Sequence, residues 1–295
     1  MPSPALVQTV LREFLSRQRA PRIPEPRLVM DDEDSVRAYT EAGGETGVMA
    51  PVYLYHAANI SEVIRPGDTV VDLACGPATQ LGLVARINPD TNFIGIDLSD
   101  QMRAQAEALI QRQGLSNVAI REGDITDLSR FADASVDAVI STMALHHLPT
   151  VDHLARTYAE VARILKPGGG VYMVDFGHLK SRRSIDYFAN QHAHRQHDLF
   201  TLDYLNSLHA AFYVDDIRAA MRPLEGRATV HTTFGLPYMV AVKSAPRRGA
   251  DAALVARLER MKRELPDWHK GDLADLIRHF RLNGMRCAHL GAAPH

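Results

Sequence analysis

Three aspartate residues stand where short apolar runs end, and their spacing is the feature of this sequence that could do chemistry. Asp72 lies in VVDLACGPAT at positions 70–79, Asp97 closes the run FIGID, and Asp124 follows Gly123. A carboxylate can accept hydrogen bonds from an ammonium group, from the hydroxyls of a ribose or from the exocyclic amine of a purine. Three such acceptors in sequence order therefore predict a site for a ligand that contains a nucleoside.

The stretch around the first of these residues predicts a strand, a tight turn and a helix. Apolar residues rise to Asp72, small residues follow, and an amphipathic run with Leu81 and Val84 comes next. A helix that begins at such a turn directs free N–H groups and the positive end of its dipole at a ligand. Gly76 has no Cβ, so a ligand can approach the backbone there. Asp97 stands 21 positions after Gly76, where open α/β sheets place the acidic residue that binds a ribose.

A dinucleotide-binding fingerprint fits this turn poorly. That motif needs glycine at positions 74, 76 and 79, and this chain has Ala74, Gly76 and Thr79. A nicotinamide-dependent oxidoreductase is therefore the weaker alternative, and calorimetry with both cofactors would decide between them.

Short apolar strands alternate with amphipathic helices through the middle of the chain, and two β-like runs, 228–234 and 237–244, follow closely on each other. The pattern predicts an α/β fold with a doubly wound, seven-stranded, mostly parallel sheet. The last two strands form an antiparallel C-terminal hairpin, and helical extensions precede and follow the sheet. The predicted division is a helical N-terminal lid (1–56), a ligand-binding domain (57–245) with a substrate cap (177–222), and a helical C-terminal extension (246–295).

Composition narrows the classes of protein that the chain could belong to. Its 295 residues carry a formal net charge of −2 and 46% hydrophobic residues, which is typical of a globular protein without a nucleic-acid footprint. No apolar run is long enough to span a membrane, and the N-terminus does not resemble a signal peptide. Two cysteines, Cys75 and Cys287, cannot form a disulfide framework, so we expect a cytoplasmic protein.

With these residues in place, the chain resembles the class I S-adenosylmethionine-dependent methyltransferases of the small-molecule type, over about residues 57–245. The runs that carry the resemblance are VVDLACGPAT, FIGIDLSDQM, GDITDL, ASVDAVISTMALHHL and LKPGGGVYMVDF. The resemblance implies S-adenosyl-L-methionine as the cofactor and a small molecule as the methyl acceptor. Ala74 and Ala78 stand where the family often has glycines, and the second leaves less room in the turn.

The resemblance also implies which residues bind the cofactor. Methionine-side residues come from the glycine turn, ribose and adenine residues from the second and third strand ends, and sulfonium neighbours from the fourth. In that order they are Asp72, Ala74, Gly76 and Pro77; Asp97, Leu98 and Met102; Asp124 and Ile125; and Thr142 and Met143.

Three residues after the fourth and fifth strands are candidates for a general base. His146 and His147 follow the fourth strand, and Asp175 ends the fifth. The simpler interpretation is that the histidines pack or cap a helix, and that Asp175 caps one as well.

Aromatic residues of the lid and the cap predict an apolar acceptor pocket. The residues chosen for it are Tyr39, Tyr55, Tyr187, Phe200 and Tyr204. We expect no metal site, although His178, His192, His194 and His197 lie close in sequence, because solvated histidines on a polar helix are the commoner outcome. Cys75 is expected to pack rather than react.

The sequence therefore predicts methyl transfer to an oxygen, nitrogen or carbon nucleophile of a biosynthetic small molecule. Two alternatives share the cofactor: an enzyme that uses it for cyclisation or elimination, and a module that binds it without turnover. The Asn/Asp-Pro-Pro-Tyr signature of nucleobase and glutamine methylation is absent, as is the cysteine set of arsenic methylation. We expect no nucleic-acid partner and no membrane insertion; the terminal helices could form a homodimer.

Overall fold

The computed structural model describes residues 4–27, 32–44 and 46–290. Its seven strands are β1 Thr69–Leu73, β2 Asn92–Asp97, β3 Val118–Glu122, β4 Val136–Thr142, β5 Leu165–Phe176, β6 Ala228–Thr232 and β7 Met239–Ser244. Its eleven α-helices within the described residues are α1 Pro4–Leu15, α2 Glu33–Ala42, α3 Ala50–Val63, α4 Thr79–Ile87, α5 Asp100–Gln113, α6 Val151–Ile164, α7 Arg182–Asn190, α8 Asp198–Ala210, α9 Val214–Ala220, α10 Ala252–Glu264 and α11 Asp267–Leu282.

The strands form one sheet in the order β3–β2–β1–β4–β5–β7–β6. The first five strands are parallel to one another, and β7 runs antiparallel between β5 and β6. The chain reverses its direction along the sheet at β4, so the carboxyl ends of β1 and β4 border a crevice. The predicted doubly wound sheet with an antiparallel hairpin is confirmed.

Alternate side chains of each strand enter two separate cores, because successive residues of a strand point to opposite faces. Val70 of β1 packs with α3 and α4, whereas its neighbour Val71 packs on the other face with α6 and α9. Covering both faces explains why the central strands are apolar runs rather than alternating sequences.

The hairpin differs from its prediction in the length of its connection. Residues 233–238 join β6 to β7, where a two-residue turn was predicted. The Thr233 hydroxyl donates to the Leu236 carbonyl at 2.5 Å. Pro237 has no N–H to give to a ladder, so pairing resumes only at Met239.

The terminal segments pack on the sheet domain through buried contacts. Tyr55 of α3 stacks on Phe280 of α11 with ring centroids 5.5 Å apart. The single helix α3 crosses the predicted boundary at 56/57, and residues 177–222 contain α7, α8 and α9. Among the described residues, no helix has both the length and the apolar character needed to cross a bilayer.

Candidate functional site

The turn after β1 is built from residues in the left-handed backbone region. Ala74, Gly76 and Ala78 have φ angles of 52°, 53° and 58°. Glycine adopts this region freely, whereas each alanine there costs of order 1–2 kcal/mol. Met143, which follows β4, has a φ of 55° and lies across the crevice. Three strained non-glycine residues at one crevice are typical of a binding site that the surrounding fold holds in place.

Asp97 at the end of β2 connects this turn to the next strand. Its carboxylate accepts from the Gly76 N–H at 2.8 Å and from the Ser99 N–H at 2.9 Å. Burial raises the pKa of Asp97, although these two backbone donors act in the opposite direction. The carboxylate is therefore fixed in orientation, and its remaining lone pairs can accept from a ligand hydroxyl.

Asp72 is buried in the crevice beside Asp97, with 4% of its surface exposed. Burial and the charge of Asp97 raise the pKa of Asp72 well above its usual range. No cation within the described residues pairs with it in the structure. An ammonium group bound at this position would supply the missing counter-charge, which fits the amino group of an S-adenosylmethionine methionine tail.

The crevice continues past the ends of β2, β3 and β4 as a cleft of about 110 Å³. Tyr39 of α2 covers one side of it. Of the residues predicted to bind the cofactor, those at the wall of the cleft are Ala74, Gly76, Asp97, Leu98, Met102, Asp124, Ile125 and Met143. Asp72, Pro77 and Thr142 do not line it, and the Thr142 hydroxyl is buried without a hydrogen-bond partner.

Asp124 is exposed, and one of its carboxylate oxygens accepts from the N–H and the hydroxyl of Thr126, both at 2.8 Å. The second oxygen has no such partner and can accept from an adenine amine. Ile125 is buried beside it and offers the apolar wall that the sequence predicts for the ring.

His146, His147 and Asp175 meet at the end of the cleft, on the short 3₁₀ helix Leu145–His147 and on β5. Asp175 accepts from His146 Nδ1 at 2.7 Å and from the His146 N–H at 2.8 Å. It also accepts from the Phe176 N–H at 2.6 Å. This pairing assigns the proton of His146 to Nδ1 and leaves Nε2 as the basic nitrogen.

The two histidines differ in their protonation. Burial lowers the pKa of His146, but the charge and hydrogen bond of Asp175 outweigh it, so that this pKa lies above the ordinary value. Burial and the charge of His146 hold the pKa of His147 well below that value. His147 lines the cofactor cleft, and its Nδ1 is buried without a partner.

Two carboxylates that the sequence analysis did not single out face the same histidine. Glu25 belongs to the proline-rich stretch PRIPEPR, and Asp203 belongs to α8. Ligand atoms of Glu25, His146 and His147 lie within 4.8 Å of one another. Burial raises the pKa of Asp203 to about 7, and the charge of Glu25 contributes to the same effect.

Arg22 fixes the segment that carries Glu25. Its guanidinium donates to four carbonyls, those of His146, Leu148, Pro149 and Ala210, at 2.6–3.0 Å. It also lies over the Phe212 ring, 3.9 Å from the centroid. No sequence motif marks either residue, because their role depends on the N-terminal segment crossing the end of β4.

Part of the predicted aromatic wall comes together beside these charges. Centroid distances are 6.2 Å from Tyr39 to Phe200, 6.4 Å from Phe200 to Tyr204 and 5.3 Å from Tyr204 to Phe176. The structure does not bring Tyr55 or Tyr187 to this wall. Tyr55 is buried against α11, and Tyr187 packs on Phe188.

The other histidines and the cysteine of the turn lie in separate surroundings. His178 bonds to the Ala20 carbonyl at 2.8 Å, and His197 caps α8. His192 faces Asp272 of α11, so it does not converge with His178. Cys75 is a buried free cysteine, and burial raises the pKa of its thiol, so it is a poor nucleophile.

Comparison with known proteins agrees with this geometry. Residues 70–169 match a family model described as a methyltransferase domain. The chain is 34% identical over 113 residues to an arsenite methyltransferase of Halobacterium salinarum, which covers 38% of this chain and 28% of that protein. It is 30% identical over 114 residues to a demethylmenaquinone methyltransferase of Lactobacillus johnsonii, which covers 38% of this chain and 45% of that protein.

A solved structure shows the same fold. The S-adenosylmethionine-dependent methyltransferase of Aquifex aeolicus superposes with a TM-score of 0.52 at 14% identity, over 73% of this chain and 98% of that one. The chain spans less than half the length of the two curated relatives that it matches. The matched segment contains β1 to β4 and the turn that holds Asp72, Gly76 and Asp97. The chain therefore contains a domain of the class I S-adenosylmethionine-dependent methyltransferases.

Proposed function

We propose that the chain transfers the methyl group of S-adenosylmethionine to a small molecule seated against the His146–Asp175 pair. The observation that carries the proposal is the position of that pair, held at 2.7 Å, next to the cleft that His147 lines. The two curated relatives are named for arsenite and demethylmenaquinone, which supports a small acceptor over a macromolecular one.

S-adenosylmethionine supplies an activated methyl group on a sulfonium, so the residues of the chain need only bind, orient and dehydrate the reactants. Asp72 and the turn around Gly76 hold the methionine part, Asp97 the ribose, and Asp124 with Ile125 the adenine. Orientation of two reactants supplies about 7–11 kcal/mol of the barrier when the geometry is good. Met143 and Tyr39 close the cleft beside the reacting atoms and exclude water.

His146 is the proposed general base. Its Nε2 takes the proton of the acceptor, while Asp175 keeps the ring in the required tautomer and stabilises the charged form. Such a base contributes roughly 10²–10⁴-fold to the rate. His147, whose low pKa keeps it neutral, shapes the wall between base and cofactor.

The cleft must widen to admit the cofactor. Its volume of about 110 Å³ is well below the roughly 300 Å³ or more of small-molecule sites. Tyr39 is the wall residue from the N-terminal segment, so we expect α2 to move outward on binding and to close again. This assigns the lid function to the N-terminal segment, as the sequence predicts.

The test is to incubate the protein with S-adenosylmethionine and a small-molecule extract and to identify the nucleoside product by mass spectrometry. Methyl transfer yields S-adenosylhomocysteine, and the His146→Gln variant should form it at least 100-fold more slowly. Methylthioadenosine would instead show attack on another carbon. Tight cofactor binding without turnover, in both proteins, would identify a binding module.

The compartment and the oligomeric state belong to the same proposal. Free cysteines at positions 75 and 287 are consistent with a reducing cytoplasm. A homodimer through α10 and α11 remains a prediction, which sedimentation of the purified protein would check.

A further inference from the structure

Three carboxylates surround His146, and we call Glu25, Asp175 and Asp203 the carboxylate cluster. Asp175 is fully paired, since it accepts three hydrogen bonds from His146 and Phe176. Glu25 accepts one hydrogen bond, from the Ser207 hydroxyl at 3.1 Å. Asp203 accepts none from the described residues. Two of the three carboxylates therefore keep most of their acceptor capacity for a ligand.

The charges of the cluster do not balance within the described residues. Arg22 supplies one positive charge, but its donors are engaged by four backbone carbonyls. His146 can supply a second when it is protonated. Three carboxylates against two cations leave one negative charge, and the raised pKa values of Glu25 and Asp203 show the cost of holding that charge where burial removes water.

Aromatic rings lie on the side of the cluster that faces the cofactor cleft. Phe176 packs 5.4 Å from the His146 ring, and Tyr204, Phe200 and Tyr39 continue the row toward the cleft. Aromatic faces attract cations, and carboxylates beside them supply hydrogen-bond acceptors. The combination suits an organic cation better than it suits a neutral hydroxyl or an anion.

We propose that the methyl acceptor is a basic amine, bound as its ammonium between Glu25 and Asp203 and against this aromatic row. This inference rests on the proposed function and names the substrate class of the same site. A basic amine does not need the signature for nucleobase and amide nitrogens, which the sequence lacks, because its nitrogen lone pair becomes nucleophilic on losing one proton.

The reaction balances with the groups present. The ammonium gives one proton to His146 Nε2, whose Nδ1–H stays bonded to Asp175. The nitrogen lone pair then forms a bond to the methyl carbon as the carbon–sulfur bond breaks, and its electron pair goes to sulfur. The products are an N-methylated ammonium and S-adenosylhomocysteine, and His146 releases its proton to solvent. Positive charge on the incoming ammonium favours the neutral, basic form of His146.

The experiment measures binding of amines and of matched alcohols to the full chain saturated with S-adenosylhomocysteine. The probes are benzylamine, 2-phenylethylamine and cyclohexylmethylamine, each paired with the alcohol of the same skeleton, and calorimetry at pH 7.5 gives the dissociation constants. We expect at least one amine to bind at least tenfold more tightly than its alcohol. Glu25→Gln and Asp203→Asn should each reduce that preference at least fivefold.

Asp198→Asn is the matched control, because it removes an exposed carboxylate from the same helix as Asp203. It should keep the preference, and all three variants should bind S-adenosylhomocysteine within twofold of the wild type, which shows that they fold. Equal affinity for amines and alcohols, no saturable amine binding, or a preference that survives both substitutions would overturn the inference.

Two further outcomes separate this inference from its neighbours. If S-adenosylhomocysteine itself does not bind, the proposed function fails first. If Mn²⁺ or Zn²⁺ binds with micromolar affinity through Glu25, His146 and His147, and displaces no amine, the cluster is a metal site and the inference is wrong.

Discussion

Two buried clusters of charged residues in this molecule differ in how completely their groups are paired. Lys243 of β7 donates to Glu62 at 2.5 Å, to Asn59 at 2.7 Å and to the Arg286 carbonyl at 3.2 Å. The second Glu62 oxygen accepts from the Ala288 N–H. This paired cluster joins α3 and β7 to the segment after α11, and its polar groups are satisfied within the protein.

The carboxylate cluster around His146 has the opposite character. Asp175 is fully bonded, but Glu25 and Asp203 have few partners and raised pKa values. Incomplete pairing is costly to stability, so a fold retains it where a ligand completes the set. The comparison teaches that the paired cluster holds the chain together, whereas the carboxylate cluster is arranged for something that is not part of the chain.

Replacing the base should give the largest change in rate. His146→Gln is expected to lower kcat roughly 10²–10⁴-fold, because no other neutral nitrogen is oriented by a carboxylate in the described site. Single-turnover measurement with a saturating acceptor checks this. Unfolding by urea should shift little, and an equal loss of rate and of fold would place His146 with the structural residues instead.

Breaking the paired cluster should give the largest change in stability. Lys243→Met leaves Glu62 buried without its cation, which is expected to lower the free energy of unfolding by about 3–5 kcal/mol. Lys262→Met is the matched control, since its ion pair with Glu259 is partly exposed, and such pairs contribute about 0–1 kcal/mol. Urea denaturation of both variants makes the measurement. Equal losses would contradict the distinction between buried and exposed pairs.

The pH dependence should separate the two clusters as well. Asp203 has a pKa of about 7 in the folded protein and an ordinary value of 3.8. The folded state therefore binds this proton more tightly than the unfolded state, so that stability is greater below pH 4 and falls as the pH rises to about 7. Asp203→Asn should remove that contribution. A pH profile of unfolding identical to that of the wild type would show that Asp203 is not buried as described.

The rate should respond to pH through His146, which faces Asp175, Glu25, Asp203, His147 and Arg22. Its pKa is raised, and the neutral form is the base, so kcat should fall as the pH drops through a value above 6.5. Asp175→Asn removes the largest raising influence and should move this acid limb to lower pH while lowering the rate. A limb that stays in place would assign the titration to another group.

Neutralising the cluster should have the smallest effect on stability. Glu25→Gln removes a buried charge with one weak partner, so the free energy of unfolding should stay the same or rise by about 1 kcal/mol. Thermal melting without acceptor checks it. A loss as large as that of Lys243→Met would mean that Glu25 belongs to the structural framework.

The sequence predicted the cofactor side of the site better than the acceptor side, for a physical reason. Asp97 and Asp124 follow strands in one local unit each, and parallel strands bring their carboxyl ends to one edge. Glu25 and Asp203 reach His146 only because Arg22 fixes the N-terminal segment across β4, a contact between distant parts of the chain. Tyr55 shows the reverse case, since its local pattern cannot distinguish a site wall from the packing of α3 on α11.

The measurement that tests the central claim most directly is calorimetric titration of S-adenosylmethionine into the wild type and the Asp97→Asn variant. The account predicts one site per chain with micromolar affinity, weakened at least 30-fold by the substitution because Asp97 orients the Gly76 turn and accepts from the ribose. Absence of binding to the wild type, or equal affinity in both proteins, would contradict it.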